Sequence, residues 1–201
     1  MANANTPFGL RPVRYLNGAP WNGQVTRYHV KSNYAVDLFI GDPVVMTGDT
    51  AAYPATVNGI PADGLPNVQI GVAGSAWVGA IVGFEVNPGA LDVIYGPAST
   101  ARIALVADDP NLIFEMQEIG TGTPLAATDQ GLNANGVAAS GSTVTGLSGW
   151  VIDNTTEATS NTLNVKLMRL VQRADMEGYG AYAKWEVMIN NHLYRAGATG
   201  V

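Results

Sequence analysis

The sequence predicts an all-β protein, and two observations carry that prediction. Among 201 residues there are 24 Gly and 11 Pro, above the roughly 12% combined share of an average chain, which sets many turns between short elements and leaves little room for long helices. The apolar stretches are short, several alternate with polar residues, and Gly, Pro, Asn and Asp bound them, as in strands and hairpins. Charged residues make up only 13% of the chain, about half the usual share, so the surface is unusually uncharged. The length suits one domain with a sizeable core.

The opening, MANANTPFGLRPVRYLNGAPWNG, follows neither a helical nor a strand period. Pro7, Pro12 and Pro20 fix their own φ and push the preceding residue toward extended geometry, which excludes a continuous helix up to Trp21. Phe8, Leu10, Val13, Tyr15, Leu16 and Trp21 make the segment too apolar for a solvated tail. Residues 1–24 are therefore read as an extended arm whose side chains need cover. Residues 25–201 are read as a single β domain in which 119–162 is a long loop-rich insertion.

Residues 24–29 alternate and give the first strand. The apolar run 35–40 closes on Gly41-Asp42-Pro43, and 44–46 is the next strand, turned by Thr47-Gly48-Asp49. Three prolines punctuate 51–67 as a loop. In IGVAGSAWVGAIVGF, Gly71, Ser75, Gly79 and Gly83 lie four apart, the spacing of close-packed membrane helices. Those 15 residues rise only about 22 Å as a helix, short of a roughly 30 Å hydrocarbon core. The stretch reads instead as strands either side of a bend, the second being 80–86, with 91–95 returning beside it as a hairpin. Strands at 102–107 and 112–118 flank the turn Asp108-Asp109-Pro110-Asn111. In LIFEMQE, Leu112, Phe114 and Met116 mark one buried face. The tract 119–162 is read as ordered loops around a strand at 150–152, and 163–172 as a strand exposing Lys166 and Arg169. The last segment, AYAKWEVMINNHLYR, fits a helical stripe or a strand at 184–189; the strand, with Trp185, Val187 and Ile189 inward, is preferred.

Charge is laid out in blocks. Residues 1–31 hold four bases and no acid, 32–165 hold 13 acids and the single base Arg102, and 166–201 hold five bases and three acids. A basic arm leading an acidic body either folds back on that body or lies on a neighbouring subunit, and the arm's aromatics favour the neighbour. Nucleic acid is a poor partner for so acidic a body. The absence of Cys excludes disulfides and thiolate chemistry. No secretory pattern opens the chain, so a cytoplasmic product and no membrane partner are expected, and the sequon at Asn154 reads as chance.

Catalytic and metal-binding patterns are sparse. The two histidines, His29 and His192, stand apart, and no G-x-S-x-G elbow accompanies them. The pairs Asp108 with Asp109 and Glu115 with Glu118 are explained by turn and sheet chemistry better than by acid–base catalysis. Asp129, Asn133 and Asn135 lack the spacing of a calcium loop, and no phosphate-cradling glycine motif occurs. The expectation is no enzyme, no cofactor and no metal.

NTPFGLRPVRYLNGAPWNG at 5–23, LFIGDPVV at 38–45, GAIVGFEVNP at 79–88, VADDPNLIFEMQE at 106–118 and KWEVMINNHLY at 184–194 together resemble the cement, or decoration, proteins of tailed-bacteriophage heads. The resemblance implies a jelly-roll-like β-sandwich on the outer surface of a virion, bound to a major capsid protein and joining neighbouring subunits. A homo-oligomer is expected, a dimer before a trimer. An extended arm of this length reaches roughly 80 Å, and several modest contacts tied together gain from effective concentration. Phe8, Tyr15 and Trp21 are the expected apolar anchors at the capsid, with Arg11 and Arg14 pairing to acidic groups on it. The alternative is a carbohydrate-binding sandwich using Trp77 and Trp150 as exposed stacking surfaces.

Overall fold

A computed structural model describes residues 3–174 and 176–195. In chain order the strands are β1 (Arg11–Tyr15), β2 (Thr26–Val30), β3 (Pro43–Thr50), the short β4 (Thr56–Val57) and β5 (Ile60–Pro61), β6 (Pro66–Ile70), β7 (Gly79–Phe84) and β8 (Arg102–Ala107). Then come β9 (Leu112–Gln117), a single 3-10 turn at Ala127–Asp129, β10 (Asn133–Ala134), β11 (Gly136–Val137), β12 (Val151–Ile152), β13 (Val165–Leu170) and β14 (Lys184–Ile189). The all-β class follows directly.

Two bodies of strands share one wall. A closed barrel runs β2-β6-β3-β7-β8, and a five-stranded sheet runs β1-β9-β14-β13-β10. Alternation along the barrel strands serves both, because successive side chains of a strand point to opposite faces. Val44, Ile81, Ala104 and Val106 fill the barrel, while their neighbours Val45, Ala80 and Ala107 turn outward onto the sheet. There they meet Leu112, Phe114 and Met116 of β9 and Trp185, Val187 and Ile189 of β14. The segment after β14 stitches the two together: Trp77 N–H donates to Asn191 O and Leu193 N–H donates to Trp77 O, both at 2.9 Å.

The strands at 24–29, 44–46, 80–86, 102–107, 112–118, 163–172 and 184–189 appear with small shifts of boundary. The expected β-sandwich or barrel takes the form of a closed barrel packed beside a five-stranded sheet. Several other expectations are corrected. Residues 91–95 form no strand. Turns at Ala90 and Val93 carry the chain away instead. The run 35–40 makes only isolated bridges, from Leu38 to Gly96 and from Ile40 to Leu147. Within 51–67 sit β4, β5 and the start of β6. The turn at Asp109, where the carboxylate accepts Asn111 N–H at 2.7 Å, carries the chain from barrel to sheet and not into a hairpin. All six residues of β9 are buried, so the strand is covered on both faces.

The loop-rich tract is held by packing as well as by polar bonds. Trp150 meets Trp77 edge-on at 5.5 Å, and Gly136 lies so close that an added Cβ would stand 2.7 Å from Trp77 and 3.0 Å from Trp150.

Residues 3–24 do not stand off as a separate arm. Leu10 is 1% exposed, and its N–H donates to Gly41 O at 2.8 Å. The backbones cross there so closely that a Cβ on Gly41 (φ +98) would fall 2.1 Å from Phe8 O, and one on Gly9 (φ +67) would fall 2.2 Å from Gly41 O. Only glycine fits both the positive φ and the contact. Gly41→Ala is expected to lower stability by about 3 kcal/mol, measured as a shift of the urea midpoint; an unchanged midpoint would mean that the crossing is not made in solution.

Candidate functional site

The N-terminal segment is seated by two acids. On the outer face of the sheet, Glu115 of β9 and Glu186 of β14 are direct cross-strand partners. Like charges opposite one another repel, and both residues are largely shielded from water, at 5% and 8% exposure. Four arginines resolve the conflict. Arg11 Nη2 donates to Glu115 at 2.5 Å and Arg173 Nη1 donates to the same carboxylate at 2.8 and 2.9 Å. Arg14 Nη2 donates to Glu186 at 2.6 Å, and Arg169 grips that carboxylate with Nε and Nη2, both at 2.9 Å. Burial alone would raise the Glu186 pKa, but Arg169 and Arg14 outweigh it and hold the carboxyl below its ordinary value. The same pairing raises that of Arg169.

The pairing of β1 with β9 puts Arg11 opposite Glu115 and Arg14 opposite Ile113, so both guanidiniums share the acids' face. Further out, Gln117 accepts Thr6 N–H at 2.9 Å and donates to Asn5 at 3.0 Å, while Asn3 bonds Gly178 and Glu177. Of the two destinations open to the basic segment, its own body is the one occupied. The boundary expected at residue 24 is therefore absent from the described residues, and Arg11 and Arg14 already hold carboxylates.

The expected anchors divide. Phe8 is 9% exposed, with the Arg11 guanidinium 4.3 Å above its ring. Tyr15 and Trp21 are half-buried against the core between sheet and barrel. Phe8, Leu10, Trp21, Ile40, Val82 and Leu147 wall a groove of about 340 Å³ in which Arg11 is the charged member. Beside it, Val86, Leu91, Ile94 and Leu147 are exposed by 61%, 73%, 45% and 38%. The rim and groove are continuous: Ile40 N–H donates to Gly146 O at 2.8 Å, and Gly146 itself packs on Ile94. Sequence reading found Phe8 and Trp21 but not Leu91 and Ile94, which it placed in a strand.

The remaining candidates have local tasks. His29 bonds Asn67 at 2.6 Å, and Asn67 continues to Asp49. His192 is 1% exposed; burial first, then Arg195, lowers its pKa to about 4. Asp108 accepts the hydroxyls of Thr26 and Tyr28 at 3.0 and 2.8 Å. Asp129 caps its own turn through Ala126 N–H, and Asn133 accepts Lys166 Nζ at 2.8 Å, so neither waits on a cation. Among the described residues no group of three or more His, Asp and Glu is placed to hold a metal. Trp77 and Trp150 are 0% and 1% exposed, which corrects the stacking surfaces of the carbohydrate reading.

No protein-family model, curated protein or solved structure matches the chain. The fold and this surface define an all-β protein with an internally bound N-terminal strand and an exposed apolar rim.

Arg11→Ala with Arg14→Ala leaves both glutamates to Arg169 and Arg173 alone and removes the pins on β1; amide exchange at residues 11–15 is expected to rise about tenfold or more, while exchange in the barrel stays unchanged. Glu118 is 0% exposed, and burial raises its pKa to about 7 against opposing help from Leu125 N–H, Ala183 and Trp185. The folded state then binds a proton that the unfolded state releases between its ordinary value near 4.5 and about 7, so this contribution is complete at low pH and is lost as pH rises through that window. The stability difference between wild type and Glu118→Gln should therefore move against wild type from pH 5 to pH 8 in denaturant titrations; a constant difference would show that Glu118 is not buried.

Proposed function

We propose that the protein is a structural component of a tailed-phage virion that binds the outer surface of the head and cements neighbouring major capsid subunits, as a homo-oligomer made in the host cytoplasm. The observation that carries this reading is the exposed apolar rim of Val86, Leu91, Ile94 and Leu147 continuous with the Phe8 and Trp21 groove. It stands on a chain with only 13% charged residues. Contiguous exposed apolar surface commonly marks a docking face, and large apolar side chains around a pocket give such faces their binding energy. The segment order that resembles head cement proteins points to the same role.

The attachment differs from a free arm thrown across neighbours. Arg11 and Arg14 are engaged by Glu115 and Glu186, so the N-terminal segment shapes the docking face from within its own subunit. Cementing then rests on each rigid body bridging shell subunits with its rim.

The test is co-sedimentation with empty heads assembled from the major capsid protein encoded in the same genome. Wild type is expected to bind saturably, and Leu91→Asp with Ile94→Asp to weaken binding by about 100-fold through two charges placed in an apolar contact. Wild type remaining in the supernatant at micromolar concentrations would contradict the proposal.

A further inference from the structure

Arg102 is the one base among residues 32–165. It opens β8 with the parity of Ala104 and Val106, whose side chains fill the barrel, so it turns inward at the barrel's mouth. Its exposure is 3%. Neither Nε nor Nη1 has a hydrogen-bond partner, and among the described residues no carboxylate pairs with it. The guanidinium carbon lies 5.5 Å from the centroid of the Phe84 ring. Burial lowers the Arg102 pKa from its ordinary value, yet an arginine side chain remains charged in a protein.

A buried cation without an anion is costly, and folding alone gives no reason for it: methionine would fill the same space. The guanidinium instead lines a cavity of about 320 Å³, with Ile40, Phe84, Val86, Leu91 and Ile94 as apolar walls. Glu85 also borders the cavity, but its Oε1 is held by Arg27 at 3.3 Å. Barrel mouths are common places for ligand sites, typically apolar with a few converging polar groups.

We propose that this cavity receives the carboxylate of an acidic side chain, flanked by apolar residues, on the protein surface that docks against the rim. The inference rests on the docking reading above and supplies its polar anchor. One guanidinium matches one negative charge, and a net charge of −6 on the chain disfavours multiply charged phosphates. The occupant is a protein because the cavity's own walls, Val86, Leu91 and Ile94, are the exposed rim; a partner covering them brings its acid to Arg102, where exclusion of water strengthens the pair.

The test compares wild type with Arg102→Met, using sodium hexanoate as the free carboxylate and sodium chloride at equal ionic strength as control. The variant loses an unpaired buried charge, so it is expected to melt about 2 °C or more above wild type. Hexanoate should raise the wild-type midpoint and leave that of the variant unmoved, and the variant should bind empty heads at least tenfold more weakly. A variant that melts lower or fails to fold would show that the charge is already satisfied and would overturn the site. Equal hexanoate responses would do the same. If both proteins bound heads equally, the carboxylate inference would fall while the docking reading stood; if wild type did not bind heads at all, the docking reading would fall, and a hexanoate response limited to wild type would still establish a carboxylate site at Arg102.

Discussion

Two carboxylates set side by side in the middle of a sheet govern where residues 3–24 go. Glu115 and Glu186 face each other across β9 and β14, sheltered enough that water does not screen them well, and repulsion between them would open the sheet if nothing positive came near. The cations come from both ends of the sequence, Arg11 and Arg14 from one and Arg169 and Arg173 from the other. Each carboxylate thus lies between an arginine of the N-terminal strand and one from β13 or the segment following it. Such pairs need partners to repay the loss of hydration, and here the partners fasten an otherwise awkward proline-rich segment.

Once β1 is fixed, the surroundings follow. Leu10 is drawn into the core, the glycine crossing at Gly9 and Gly41 ties the segment to the barrel, and Phe8 and Trp21 come to wall a groove against Ile40 and Leu147. The groove continues into the rim above the barrel mouth, where Arg102 has no carboxylate partner among the described residues. Charge is thereby satisfied internally on one face, while the apolar rim and Arg102 lie on another.

Much of this was legible in the sequence where the signal is local. The strands around Val44, Ala80, Ile103, Phe114, Leu167 and Val187 follow from alternation and from Gly, Pro, Asn and Asp at their ends, and KWEVMI is a strand with Trp185, Val187 and Ile189 inward. What was not legible depends on pairing across the chain. That Glu186 would stand opposite Glu115, and so call Arg14 inward, requires the register of strands far apart in sequence. That β7 would take its place between β3 and β8 in a closed barrel is equally non-local. Arg102 is conspicuous in the sequence as a lone base, but its burial emerges only when the barrel closes. Trp77 and Trp150, near loops in sequence, are buried together in the core between barrel and sheet.

The most direct measurement is a cryo-EM map of the decorated head at a resolution that traces side chains. Residues 3–24 are expected packed on their own subunit with β1 along β9, Leu91 and Ile94 pressed on the shell and an acidic residue of the capsid protein reaching Arg102. Density for the first 24 residues leading away onto a neighbouring subunit, with the barrel mouth open to solvent, would contradict this arrangement.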